Sequence, residues 1–409
     1  MKIIHTSDWH LGQFFYARSR AAEHQAFFQW LKALVIEQRV DAIIVAGDIF
    51  DTATPASYAR ELLNQFIVSL QETGCQLYLL AGNHDSVATL NESRALVACL
   101  NTHIITGPRS DDEPHASSLF PIKDAEGKVG ALLCAIPYLR PRDIQLSQAG
   151  LSGREKQQDL LQAITRYYHE NFLAAREYQQ LHQCGHLPII ATGHLTALGV
   201  TKSDSVRDIY IGTLEAFPAS AFPPADYIAL GHIHRAQNVS GATPIRYSGS
   251  PIPLSFDELG SPKSITMLSL TEEAPLTWET YEIPCFQPMR VIKGSLKELA
   301  EQLSALERPS NGQRIWLDIE IHHEDYLSDL QQRVEKLTED LAVEILLLRR
   351  KRIATSSTLT SLQKETLGEL TPEEVFRRRL AQETLDDDQH HLMLQRFRQV
   401  TAQIYDEQE

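Results

Sequence analysis

Aspartate, histidine and asparagine recur in this chain at places from which they can jointly hold metal ions. Asp8 and His10 follow Lys2-Ile3-Ile4-His5-Thr6, and Asp48 follows Ala42-Ile43-Ile44-Val45-Ala46. Asn83 and His84 follow Gln76-Leu77-Tyr78-Leu79-Leu80, and His194 follows Pro188-Ile189-Ile190-Ala191-Thr192. His232 and His234 follow Tyr227-Ile228-Ala229-Leu230. Each preceding run is short, apolar and β-rich and reads as a buried strand. The candidates therefore all sit at strand C-terminal ends, the edge that forms the ligand crevice of an open α/β sheet. One polar residue at the start of a loop means little, but five matching junctions predict a shared site.

A set of carboxylate, imidazole and amide donors suits borderline-hard cations such as Mn²⁺, with Mg²⁺, Fe²⁺ and Zn²⁺ also compatible. Seven ligands are too many for one ion. The natural division gives Asp8, His10 and His234 to one metal and Asn83, His194 and His232 to the other, with the Asp48 carboxylate bridging them. Ions bridged in this way lie about 3.5–4 Å apart and activate a shared water for in-line attack on phosphorus. His84, next to a ligand but free to project toward the phosphate, is expected to stabilise the transition state or protonate the leaving oxygen, with Asp85 orienting its ring. The competing reading of His84 is a structural hydrogen bond to Asp85. His5, inside the first strand, is expected in the core or supporting a ligand.

The elements that must position these residues follow an α/β pattern. Helices are expected over roughly 18–38 and 55–73, the second with Pro55 at its first position and Gly74 at its end. A longer helix is expected over about 153–183, and Arg109 to Ser118 reads as a polar surface loop. After Pro284 to Pro288 the pattern changes. Leu296, Leu299, Leu303 and Leu306 share a helical face, Ile315 to Ile321 alternate as a strand, and Leu327 to Leu341 form a second helix before a strand around Val343 to Leu347. This predicts a small α+β cap. Three regions result: 1–283 as the main domain, 284–353 as the cap, and 354–409 as a linker and helical tail in which Thr371-Pro372-Glu373-Glu374 starts a helix.

Composition narrows the function. At 409 residues the chain suits a main domain plus an appendage, and its 43% apolar and 22% charged residues are globular proportions. No apolar run is long enough to cross a bilayer, and the N-terminus reads as a strand rather than an export signal, so the cytoplasm is the expected location. Five scattered cysteines without a C-x-x-C pair suggest reduced, mostly buried thiols. A formal charge of −15 excludes a protein that coats a polyanion through its global field, so any nucleic acid must be held locally, by bound cations or by a partner.

Asp8-Trp9-His10, Gly47-Asp48-Ile49-Phe50-Asp51, Gly82-Asn83-His84-Asp85, Gly193-His194 and Gly231-His232-Ile233-His234 resemble the five motifs of the calcineurin-like metallophosphoesterases. The resemblance implies a layered β-sandwich flanked by helices. Ser203 to Thr213 and Tyr247-Ser248-Gly249-Ser250-Pro251 resemble, more narrowly, the SbcD family of bacterial nuclease subunits. That likeness implies a manganese-dependent double-strand exonuclease and single-strand or hairpin endonuclease. It also implies an SbcC-type ATPase partner with a long coiled coil, a homodimer within a heterotetramer, and work on DNA ends in recombination, repair and replication. Relatives often carry His where this chain has Asp51, so Asp51 is expected to orient a ligand rather than to act on substrate.

Other residues carry two readings each. Lys202 and Arg207 flank a segment that is either a loop or a phosphate contact, and Arg350 and Lys351 lie in a basic run that is either a solvated strand end or a DNA contact. Phe14-Phe15-Tyr16 is either packing or a base-stacking platform. The histidine pairs at 322–323 and 390–391 are expected on the surface. Met393, Phe397, Val400 and Ile404 form an apolar stripe, which Val375, Phe376 and Leu380 would extend, and its expected cover is the partner's coiled coil rather than the cap. Two rivals stand beside a DNA nuclease: a phosphomonoesterase or cyclic nucleotide phosphodiesterase on the same fold, and a scaffold that binds DNA ends without cutting.

Overall fold

The computed structural model describes residues 1–352 apart from 109–117, 145–151, 207–215, 240–242, 272–273, 307–308, 310–311 and 324–329, together with 393–394 and 396–397. Two six-stranded sheets lie face to face. In the first, the order is Thr277–Glu282, Ser264–Ser269, Lys2–Thr6, Ala42–Ala46, Gln76–Leu80 and Thr102–Ile105. In the second it is Gln237–Val239, Ile245–Tyr247, Tyr227–Gly231, Ile189–His194, Val129–Cys134 and Leu119–Lys123. All five anticipated strands are present, and they form the parallel centres of the two sheets.

Strand alternation builds the layers. Ile3, Ile44, Tyr78 and Leu80 face Leu133, Ile190, Tyr227 and Ala229 across the inter-sheet core. Ile4, Ile43, Val45 and Leu77 point the other way, against Phe27, Phe28 and Leu31 of helix Ala21–Gln38 and Leu63 and Phe66 of helix Ser57–Gln71. Behind the second sheet, Leu160, Ile164 and Tyr168 of helix Gly153–Leu181 cover Leu132, Ile189 and Leu230. A Ser152/Glu155 capping box starts that helix. The order helix, sheet, sheet, helix follows from three apolar surfaces that each need a cover.

Several boundaries differ from expectation. The first helix starts at Ala21, because Arg18–Ser19 pairs with Phe14–Phe15 in a two-stranded hairpin whose Tyr16 and Ala17 have positive φ. Pro55 precedes the N-cap Ala56 rather than occupying the first helical position. The cap holds a strand, Met289–Gly294, that sequence reading missed. It pairs in parallel with Ile315–His323, which pairs in parallel with Val343–Arg352, and helices Leu296–Ser304 and Leu330–Thr338 form the crossovers. The unit is a βαβαβ layer, which adds this opening strand to the helix, strand, helix and strand expected of the small α+β cap. The cysteines are free, but only Cys75 and Cys134 are buried, while Cys99 and Cys285 are exposed.

Among the described residues no helix is long and apolar enough to cross a membrane. The loop at 109–117, the helix proposed at Thr371, Val375, Phe376, Leu380, His390, His391, Val400 and Ile404 lie outside the described residues. Met393 and Phe397 are helical, and Met393 is half exposed.

Two histidines are locked inside this frame without charge. His5 lies between the sheets, with Nδ1 3.1 Å from the Tyr227 hydroxyl and Nε2 3.2 Å from the Leu230 carbonyl. His24 reaches the Trp9 carbonyl at 2.8 Å. Burial, with Arg246 adding for His5 and Arg20 for His24, lowers each from 6.5 to about 3. Folded, both stay neutral down to about pH 3, whereas unfolded they charge below 6.5. Their contribution to stability is complete above pH 6.5 and is lost as pH falls from there toward 3. Denaturant titrations across that window should show stability declining by about 1.4 kcal/mol per pH unit for each histidine, and His24→Gln should remove one proton from the slope.

Candidate metal centre

The five loops meet at one place. Atoms of Asp8, His10 and His234 lie within 4.8 Å of one another, as do those of Asp48, His194 and His232, and those of His10, Asp48 and His84. Asp48 stands between the clusters. Its Oδ2 is 3.6 Å from His10 Nε2 and 3.2 Å from His194 Nε2, and its Oδ1 accepts the His84 backbone N–H at 2.9 Å. Asn83 Oδ1 lies 2.9 Å from His194 Nε2 and 3.2 Å from His232 Nδ1. All seven side chains are therefore brought together in one place.

The backbone is bent to achieve this. Asp8, His10, Asp48 and His232 have φ of 53°, 46°, 51° and 92°, a region that costs a residue with a side chain about 1–3 kcal/mol. The bends are held in place by hydrogen bonds. Asp8 N–H donates to the Gly47 carbonyl and His10 N–H to the Asp48 carbonyl, both at 3.0 Å, while Asp8 Oδ1 accepts the His232 N–H at 2.9 Å. Glycine is required where loops touch. A Cβ on Gly82 would fall 2.1 Å from Asp48 Oδ1, and one on Gly47 would fall 2.1 Å from His194 Nδ1.

The donor set fits divalent cations. His10 Nε2 and His232 Nε2 are buried and without a hydrogen-bond partner, an arrangement that is costly unless something else meets those lone pairs. Burial, reinforced by His194, holds His232 neutral, the form in which imidazole ligates. Burial opposes charge on Asp48, yet His194 and His10 hold its carboxyl well below the usual range. Burial likewise opposes charge on His194, but Asp48 pushes it up to about 9. The carboxylates thus draw positive charge into a nearly dry pocket.

Two supporting roles resolve differently from each other. Asp51 Oδ1 lies 3.2 Å from His10 Nδ1. Asp85 does not orient His84. Its carboxylate accepts the N–H groups of Ile49, Phe50 and Gly82 at 2.8–3.0 Å, so it knits the second and third loops together. Burial and Asp48 raise it to about 6. The His84 ring is set instead by Nδ1 donating to the Asp51 carbonyl at 2.7 Å, and it stands edge-on to His10 at 4.8 Å.

Sequence reading missed Glu258, a buried carboxylate with Oε1 3.3 Å from His234 Nδ1. Nothing short of the fold places it there, since it follows no strand and belongs to no motif. Ser205 also reaches His234 Nδ1, at 2.6 Å, so at least part of the 203–207 segment is site structure. Lys202 is exposed and Arg207 lies outside the described residues. Arg350 is exposed at the end of the cap strand, Arg349 pairs with Asp318, and nothing is described of the Lys351 side chain. Of the aromatic triplet, Phe15 is buried against Phe256 and Trp316, while Phe14 and Tyr16 are 59% and 47% exposed.

Stacked sheets whose loop edges gather two carboxylates, an asparagine and histidines into adjoining ligand clusters define a calcineurin-like phosphoesterase, and residues 1–236 match the family model of that description. Residues 285–384 match a model described as Type 5 capsule protein repressor C-terminal domain. The chain is 55% identical to the SbcD subunit of nuclease SbcCD from Escherichia coli (strain K12) over 397 residues, 97% of each chain. It is 35% identical to the corresponding SbcCD subunit of Rhodobacter capsulatus, covering 75% of this chain and 76% of that one, and 31% identical to that of Bacillus subtilis, covering 80% and 81%. The chain belongs to this SbcD family of nucleases, metal-dependent hydrolases of phosphodiester bonds.

Gly82→Ala tests the close approach. The added methyl must displace the Asp48 carboxylate, so calorimetric titration should show divalent-cation affinity reduced roughly tenfold or more, with the circular dichroism spectrum unchanged. Native affinity in this variant would mean that Asp48 has no fixed place in the site.

Proposed function

We propose that this chain is the manganese-dependent nuclease component of a complex with an SbcC-like coiled-coil ATPase, acting in the cytoplasm as a double-strand exonuclease and single-strand or hairpin endonuclease on DNA. The observation that carries this reading is the convergence of five loops on Asp48, between two ligand clusters. Asp8, His10 and His234 would hold one ion and Asn83, His194 and His232 the other, with Asp48 shared between them. Two divalent cations supply Lewis-acid polarisation of a phosphodiester and a water made acidic enough to attack at neutral pH. Mg²⁺, Fe²⁺ and Zn²⁺ are chemically compatible alternatives to Mn²⁺.

The chain's own residues do the rest. Asp8 and Asp48, both buried, supply the carboxylates that gather cations where a polyanion must approach, which answers the repulsion expected from a net charge of −15. His84 is held at both ends of its residue: its backbone N–H is fixed to Asp48, and its ring Nδ1 to the Asp51 carbonyl. Nε2 is then the atom that delivers a proton to the departing oxygen. Asp51 turns His10 by bonding its Nδ1, and Asp85 keeps the loops at 47–50 and 82–85 in register. Hydrolysis proceeds by direct attack of water, without a covalent enzyme intermediate.

The division into 1–283 for catalysis, 284–353 as a DNA-contacting cap and 354–409 for partner binding belongs to the same proposal. So do the contacts of Lys202, Arg207, Arg350 and Lys351 with DNA, and of Val375, Phe376, Leu380, Met393, Phe397, Val400 and Ile404 with the ATPase. A homodimer within a heterotetramer completes it.

The test is a cleavage assay on end-blocked, hairpin and single-stranded DNA, with and without the ATPase partner, repeated in chelator. Mn²⁺-dependent cutting that chelator abolishes is expected. His84→Gln should bind metal as the unsubstituted chain does while cleavage falls by about 10²–10⁴-fold, and unchanged cleavage would remove His84 from the mechanism. Hydrolysis of small phosphate esters with every DNA form spared would favour the phosphomonoesterase reading. No cutting at all by the complex would favour the scaffold.

A further inference from the structure

Among the described residues, Glu258 is a carboxylate with no exposed side-chain surface, and a residue of that kind is rarely left inside a protein without a task. It lies on a short 3-10 turn, Phe256–Gly260, outside all five ligand-bearing loops. Lys263, itself only 11% exposed along its side chain, pairs with Oε2 and also donates from Nζ to the His234 carbonyl at 2.9 Å. Leu254 N–H donates to Oε2 at 3.0 Å. The other oxygen, Oε1, accepts the Ser203 hydroxyl at 2.9 Å and the Ser205 hydroxyl, and lies 3.3 Å from His234 Nδ1.

Proton accounting gives this arrangement a direction. A hydroxyl has one proton, and that of Ser205 goes to Glu258, so the Ser205 oxygen, 2.6 Å from His234 Nδ1, must accept there. His234 is therefore held in the tautomer with its proton on Nδ1, and Nε2 presents the lone pair. Lys263 fixes the same residue a second time through its backbone carbonyl. We infer that Glu258, braced by Lys263 and acting through Ser205, is the positioning residue for His234. It sets the ring's tautomer and plane toward Asp8 and His10, and it ties the segment carrying Ser203 and Ser205 to the metal site. This rests on the two-metal reading above and adds to it a residue that touches neither metal nor substrate.

The experiment is Mn²⁺ titration by calorimetry on the full chain, comparing the unsubstituted protein with Glu258→Gln and Ser205→Ala. Thermal unfolding is measured on each in chelator and at saturating Mn²⁺. The unsubstituted chain should bind two ions. Glu258→Gln should weaken one of the two about 10–100-fold, as loss of a group supporting a ligand does, and leave the other close to its native affinity. Ser205→Ala, which keeps the Glu258–Lys263 pair and so the local fold, should weaken the same ion by a smaller factor. In both variants the melting-temperature rise on adding Mn²⁺ should shrink, while Ser205→Ala should melt in chelator as the unsubstituted chain does. A purely structural Glu258 would lower the chelator melting temperature and leave both affinities in the folded protein alone. Two ions bound at native affinity by both variants overturns this inference and leaves the two-metal reading standing. An unsubstituted chain that binds fewer than two ions overturns both. If Glu258→Gln does not fold, Ser205→Ala decides alone, and native binding by it refutes the relay.

Discussion

An ionised carboxylate can be kept in a nearly dry site only if positive charge faces it, and Asp48 is placed so that such charge comes from both halves of the molecule. His10 and His84 belong to loops of the first sheet, and His194 to a loop of the second. The site therefore exists only while the two sheets keep their spacing. Ile3, Ile44, Ile190 and Tyr227 supply that spacing by packing between them, and His5 bridges the gap with its bonds to Tyr227 and Leu230. The loops then approach so closely that His194 Nδ1 bonds the Ala46 carbonyl at 2.9 Å across the sheets. Core packing and metal geometry are consequently one constraint, because a shift of the sheets would open the distances on which both clusters depend.

This explains which parts were legible beforehand. Strands buried on both faces are continuous apolar runs, and a ligand placed one or two residues beyond such a run is visible without knowing how the runs pair. That seven such side chains converge follows from their shared place at strand ends. Roles that depend on where a bent backbone aims a side chain are not visible in the same way. Asp85 is next to His84 in sequence, which suggested a pair. The chain turns at 82–85, however, and its carboxylate ends up on three N–H groups from two loops, while the His84 ring finds a main-chain oxygen that no motif advertises. Glu258 was invisible for a related reason: its partners at 203, 205, 234 and 263 are joined only by tertiary structure. In the cap, the helix, strand, helix and strand after residue 295 were legible, but the opening strand Met289–Gly294 was hidden by the proline-marked stretch before it.

The cap is fastened to the very loop that carries His10. Past His10 the chain forms the hairpin Phe14–Phe15 with Arg18–Ser19, and Phe15 stacks on Trp316 of the middle cap strand, with centroids 5.8 Å apart and planes 10° from parallel. Arg20, with no exposed surface, lies over both rings, pairs with Glu23 of the first helix, and donates to the Pro253 carbonyl at 2.7 Å. Arg18 pairs with Glu344 on the next cap strand. A buried guanidinium with this many fixed partners cannot move alone, because leaving any one of them would strand a charge away from water. The first metal-ligand loop, the first helix, the Pro251–Pro253 turn and the cap sheet are thus held through one cluster. The position of the cap and the position of His10 are mechanically linked, and the exposed rings of Phe14 and Tyr16 project from the hairpin that makes the link.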